Sequence, residues 1–127
     1  MSGIRVLIVE DEPLIAKNIG MYLNNNDYEV SGIAFDPEEA LYQLKRNPPD
    51  LAILDINLES DRDGIEVARY INLHNNIPFI YLTSYSDKDT LERAKQTNPY
   101  GYIVKPFNDK TLFTTIEIAL SNHAREL

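Results

Sequence analysis

The groups in this chain best suited to chemistry are carboxylates, an ammonium and hydroxyls, each placed where an apolar run stops. Glu10-Asp11-Glu12 follows Val6-Leu7-Ile8-Val9, and Asp55 closes Leu51-Ala52-Ile53-Leu54. Thr83-Ser84 ends a fourth run, and Lys105 follows Tyr102-Ile103-Val104. Short apolar runs of this kind read as strands buried on both faces. In an open parallel sheet, ligands bind outside the carboxyl ends of the strands. If the strands are neighbours, one crevice gathers several carboxylates and one ammonium. That set suits holding a divalent cation and acting on a phosphoryl group.

Each residue alone also has an ordinary reading. Glu10-Asp11-Glu12 before Pro13 would serve equally to cap a helix and complement its dipole. Asp55 is as well suited to opening a solvated loop. Thr83 is a good strand residue, and Lys105 reads by itself as a surface lysine. Asp61 and Asp63 read as members of a solvated loop. His74 and His123 stand apart without ligand partners and read as surface residues. What the ordinary account leaves unexplained is the joint pattern: acids after the first and third runs, and an amine after the fifth.

The elements that must position these groups alternate along the chain. Ile4–Val9 reads as a strand. Pro13 suits a first helical turn, and Leu14, Ile15, Ile19, Tyr22 and Leu23 follow at helical spacing. Asn24-Asn25-Asn26-Asp27 closes that helix, and Tyr28–Ala34 is the second strand. Asp36 reads as an N-cap with Glu39 at box-like spacing, ahead of Ala40, Leu41 and Leu44. Pro48-Pro49 stops this helix, and 50–55 is the third strand. A polar loop, 56–63, leads into a helix through Ile65, Val67, Ala68, Tyr70 and Ile71. Asn75-Asn76 ends it before the fourth strand, Ile77–Thr83. Ser86 or Asp87 caps a helix with Leu91 and Ala94 inside. Asn98-Pro99 precedes the fifth strand, Tyr100–Lys105. Asn108 or Asp109 caps a last helix carrying Leu112, Phe113, Ile116, Ile118, Ala119 and Leu120. Strict alternation argues an α/β fold with a parallel sheet covered on both faces.

Length and composition bound the function. The chain has 127 residues, enough for one domain with its own core. It has no cysteine, which removes disulfides and thiol chemistry. Ile4–Val9 is too short for a signal peptide and is interrupted by Glu10. No apolar run approaches spanning length, so a soluble cytoplasmic protein with no membrane partner is expected. The formal net charge is −8, carried by the first half of the chain. Such acidity disfavours direct nucleic-acid binding, which rests largely on neutralising phosphates.

Taken together, the strand ends resemble the receiver domain of two-component response regulators, over essentially the whole chain. The motifs are the acidic pair after strand one, Asp55 after strand three, Thr83 after strand four and Lys105-Pro106 after strand five. Tyr102 is the aromatic three residues before the lysine. The resemblance implies a doubly wound, flavodoxin-like five-stranded sheet of order 2-1-3-4-5, with the crevice where the strand order reverses, between strands one and three. It implies Mg²⁺ on Asp11, Asp55 and the Asn57 backbone carbonyl, with Glu10 contributing indirectly. A hard, oxygen-seeking ion fits that donor set.

The family implies that Asp55 accepts a phosphoryl group from a sensor histidine kinase or phosphotransfer protein. Lys105, the Thr83 hydroxyl and the Ser84 backbone N–H would face phosphoryl oxygens. Thr83 and Tyr102 would form the switch. The output face would be helix four, strand five and helix five, open to a partner or a second copy. The Lys105-Pro106 bond is expected to be cis. The loop after Asp55 departs from the family in lacking Pro-Gly and in its length. Residues 1–127 are read as one receiver domain, any C-terminal output domain being absent from the chain. Two other readings stay open: a small aspartyl-phosphate phosphatase or phosphotransferase, and a phosphorylation-independent interaction module. Asn57 stands where such hydrolases place a second acid, which argues against the first.

Overall fold

The computed structural model describes residues 3–57, 63–84 and 88–126. Strands and helices alternate as β1 (Arg5–Val9), α1 (Pro13–Asn25), β2 (Glu29–Ala34), α2 (Pro37–Arg46), β3 (Leu51–Asp55), α3 (Gly64–His74), β4 (Phe79–Thr83), α4 (Lys88–Lys95), β5 (Gly101–Val104) and α5 (Asp109–Arg125). The strands form one parallel sheet in the order β2-β1-β3-β4-β5. Helices α1 and α5 cover one face, over Val6, Ile8, Ile53, Ile80 and Leu82. Helices α2, α3 and α4 cover the other, over Leu7, Val9, Leu54, Phe79 and Tyr81. Each fully buried Leu or Ile in these layers contributes about 1.5–3 kcal/mol.

Helix ends follow local chemistry. The Asp36 carboxylate accepts from the Glu39 amide at 2.8 Å, and Glu39 Oε1 accepts from the Phe35 amide at 2.8 Å. The reciprocal bond thus reaches one residue before the cap. Asn108, rather than Asp109, caps α5 by accepting from the Thr111 amide. Asp27, Asn76 and Asn98 take left-handed backbone conformations just past α1, α3 and α4. Asx residues tolerate that region best among non-glycines. Ser86 and Asp87 lie outside the described residues.

Several boundaries and faces differ from expectation. β2 starts at Glu29 because the Tyr28 amide turns back to the Leu23 carbonyl. β4 starts at Phe79, after Pro78, which has no amide hydrogen to give a neighbouring strand. Tyr100 and Lys105 flank β5 rather than belong to it. The buried stripe of α5 is Leu112, Ile116 and Ala119, which leaves Phe113 and Ile118 exposed. Leu91 is likewise exposed, and Ala94 is the one buried residue of α4. Leu14 faces solvent on α1. His123 is half-buried rather than a free surface residue: its Nε2 lies 3.1 Å from the Asn76 carbonyl and its ring meets Tyr100 edge-on. His74 is exposed and stacks beside Tyr70. Among the described residues, no helix is long and apolar enough to cross a membrane.

Candidate functional site

Parallel register brings the strand ends level. Val9 pairs with Leu54, Asp55 with Leu82, and Thr83 with Val104. The next residue out on β1 is Glu10, and the next past β5 is Lys105. Residues far apart in sequence therefore meet at one rim of the sheet.

At this rim Lys105 Nζ lies 2.8 Å from Glu10 Oε1 and 3.1 Å from Asp55 Oδ2. Glu10 is fully buried and Asp55 nearly so. The remaining carboxylate oxygens are also held. Glu10 Oε2 accepts from the Glu12 amide at 3.0 Å, and Asp55 Oδ1 accepts from the Asn57 amide at 3.0 Å. Glu12 is the N-cap residue of α1 but makes no side-chain capping bond. The capping account of the acidic cluster is therefore not realised through Glu12, and Glu10 points into the site instead. The Lys105-Pro106 peptide bond is cis, as expected.

Burial is expensive for the Glu10 carboxylate and raises its pKa from the ordinary 4.5 to about 7. Lys105 and the Glu12 amide pull it back down, and Asp55 pushes it further up. Burial works against the Lys105 ammonium as well, but Glu10 and Asp55 outweigh it, so its pKa is raised.

Glu10, Asp11 and Asp55 each present a carboxylate oxygen, all within 4.8 Å of one another. Glu10 Oε1 has the ammonium nearby but no aligned hydrogen bond. The Lys105 ammonium is shared by Glu10 and Asp55, with the Asp11 carboxylate close by. The donors are all hard oxygens, the set a divalent Mg²⁺-like ion prefers.

The other expected residues sit around this cluster. Thr83 is buried beside Asp55, and its backbone carbonyl accepts from the Lys105 amide at 2.7 Å. Ser84 is exposed and lines, with Lys105, a groove of about 740 Å³ against α1 that also includes Asn18, Met21 and Phe107. Tyr102 is not in the charged cluster. Its ring packs against Tyr81 at 5.8 Å, and its buried hydroxyl has no hydrogen-bond partner among the described residues. Burial raises the Tyr102 pKa, with Glu92 adding to it.

One reading is corrected. Asp63 is not a loop residue in solvent but the N-cap of α3: Oδ1 accepts from the Ile65 and Glu66 amides. Its Oδ2 pairs with Arg93 of α4 at 3.1 Å. An Asp directly before Gly64 and an apolar helix is a cap signature, so half of this was available in the sequence. Asp61 lies outside the described residues. Gly64 is packed against the end of β3: a Cβ there would stand 2.1 Å from the Asp55 carbonyl oxygen.

Comparison with known proteins agrees with this geometry. The family model described as response regulator receiver domain matches residues 6–117. The chain belongs to the response regulator receiver domain family. The transcriptional regulatory protein PdtaR of Mycobacterium tuberculosis is 39% identical over 117 residues, covering 92% of this chain and 57% of PdtaR. The sensory transduction protein LytT of Bacillus anthracis is 33% identical over 115 residues, covering 90% of this chain and 46% of LytT. The chain thus spans about half the length of these relatives. Among solved structures, the receiver domain of a modulated diguanylate cyclase from Desulfovibrio desulfuricans G20 superposes with a TM-score of 0.93 at 37% identity, covering 99% of this chain and 100% of that one. A CheY-like receiver domain protein from Methanospirillum hungatei JF-1 gives 0.90 at 28% identity, again covering 99% and 100%. The protein is therefore a receiver domain of a two-component response regulator, a signalling domain of the doubly wound, flavodoxin-like class.

Proposed function

We propose that this receiver domain accepts a phosphoryl group on Asp55 from a phosphohistidine of a sensor histidine kinase or phosphotransfer protein. The observation that supports this most is the Lys105 ammonium bridging Glu10 and Asp55 at 2.8 and 3.1 Å. An Asp55 oxygen forms the new P–O bond as the P–N bond to the donor imidazole breaks and its electron pair returns to the ring. Carboxylates are competent nucleophiles toward phosphorus. The rest of the work is positioning and stabilising charge.

Lys105 leaves its carboxylate partner to face a phosphoryl oxygen, where a compact ammonium acts as a point charge. The Thr83 hydroxyl and the Ser84 amide donate to the others. The Asn57 amide holds Asp55 in orientation through Oδ1. Asp11, Asp55 and the Asn57 carbonyl, with Glu10 contributing indirectly, would hold Mg²⁺, whose charge offsets that on the transferred group. The added charge, about −1.5 to −2, then biases Thr83 and Tyr102 and reaches a partner or second copy through α4, β5 and α5. Exposed Leu91, Val104 and Phe113 give that surface apolar contacts. The setting is the cytoplasm, with no direct nucleic-acid contact by this domain.

The test is intact-mass measurement after treatment with acetyl phosphate and Mg²⁺. One phosphate is expected on the native chain and none on Asp55→Asn. The same addition on Asp55→Asn ends the reading.

A further inference from the structure

Helix α4 is attached to the body unlike the other helices. Ala94 is its one buried side chain, and Leu91 stays exposed. Polar ties add to its attachment. Arg93 pairs with Asp63 at 3.1 Å. Just past its end, the Thr97 hydroxyl sits 2.6 Å from the Tyr81 hydroxyl, and the Thr97 carbonyl accepts from Asn72 Nδ2 at 2.8 Å. The Thr97 tie leads to β4 at Tyr81, which pairs with Leu54, and the Arg93–Asp63 pair leads to the start of α3, beside Asp55.

Asp63 divides its carboxylate between two elements, Oδ1 to the first turn of α3 and Oδ2 to α4. The next residue, Gly64, donates its amide to the Ile56 carbonyl at 3.2 Å. Gly64 also sits so close to the Asp55 carbonyl that a methyl group has no room. The backbone at 55–56 and at 63–64 is therefore in direct contact.

We propose that the Asp63–Arg93 ion pair is one tie through which the strand end at Asp55 restrains the position and mobility of α4. This deepens the proposed phosphorylation reading and rests on it for its signalling role. The restraint on α4 itself is independent of phosphorylation.

Two substitutions separate the roles of Asp63. Asp63→Asn keeps an Oδ1 acceptor, since Asn caps as well as Asp, and loses the charge facing Arg93. Arg93→Gln loses the pair from the other side, and Arg93→Lys keeps a cation there. Hydrogen exchange of the α4 amides is measured on the unphosphorylated chain. A partly exposed ion pair corresponds to a change of about two- to fivefold in local opening. Both Asp63→Asn and Arg93→Gln are expected to speed α4 exchange by about that factor. The double variant should go no further, and Arg93→Lys should recover most of the protection. Exchange in α3 should stay unchanged throughout. Unchanged α4 exchange in Arg93→Gln overturns the proposal, as does simple additivity in the double variant.

A second arm repeats the measurement after acetyl phosphate and Mg²⁺. The change in α4 exchange on phosphorylation should shrink in both single variants, and an undiminished change overturns the signalling role. Failure of the chain to take up phosphate is read separately by mass, and it refutes the phosphorylation reading and the signalling role while the first arm still decides the restraint.

Discussion

Glu10→Gln isolates the cost of keeping a carboxylate fully buried at the rim of the sheet. In the native chain burial lifts the Glu10 pKa from 4.5 to about 7, against the pull of Lys105 and the Glu12 amide. One pKa unit corresponds to about 1.4 kcal/mol, so the shift is worth up to about 3 kcal/mol. Between these two pH values the folded chain keeps a proton that the unfolded chain has released. Stability therefore falls as pH rises through the window from 4.5 to about 7, and levels off above it. Lys105, with its pKa raised above 10.5, stays charged across that window and adds no slope. Glutamine keeps an acceptor for the Glu12 amide but does not titrate. The assay is urea unfolding of both proteins at a series of pH values from 4.5 to 8, in EDTA, with a common m-value. The native-minus-variant difference should drop by up to about 3 kcal/mol across the series. Parallel curves would refute the reasoning, because they would mean that the buried carboxylate costs nothing to ionise.

Gly64→Ala should destabilise by about 3 kcal/mol or more, since the new methyl meets backbone rather than a flexible side chain; urea unfolding checks this, and a loss below 1 kcal/mol would show that the backbone at 55–56 yields easily. Lys105→Met leaves two buried carboxylates without their ammonium. A loss of about 3 kcal/mol is expected at pH 8 and a smaller one at pH 5, where Glu10 is neutralised by its own proton; an equal loss at both, from the same unfolding curves, would contradict the shared-cation account.

Local chemistry determined much of this protein. Period and punctuation gave the alternation, because Pro13, Pro37, Asp36 and the Asn residues closing α1, α3 and α4 act on their own neighbourhood. Alternation then restricts the sheet to parallel strands, and parallel strands put Glu10, Asp55, Thr83 and Lys105 at one edge. The site was legible because charged groups sat at the ends of runs that can only be buried.

What tertiary structure decided is whatever depends on two distant segments arriving in register. The sequence could not say that one ammonium, that of Lys105, bridges Glu10 and Asp55, or that Glu12 makes no side-chain cap. Nor could it say that Phe113 and Ile118 fall outside the α5 stripe, or that Asp63 reaches across to Arg93. A carboxylate has two oxygens and a helix has a full circle of directions. Which of them meets a partner is fixed by how helices cross the sheet, and that is a property of the packed whole.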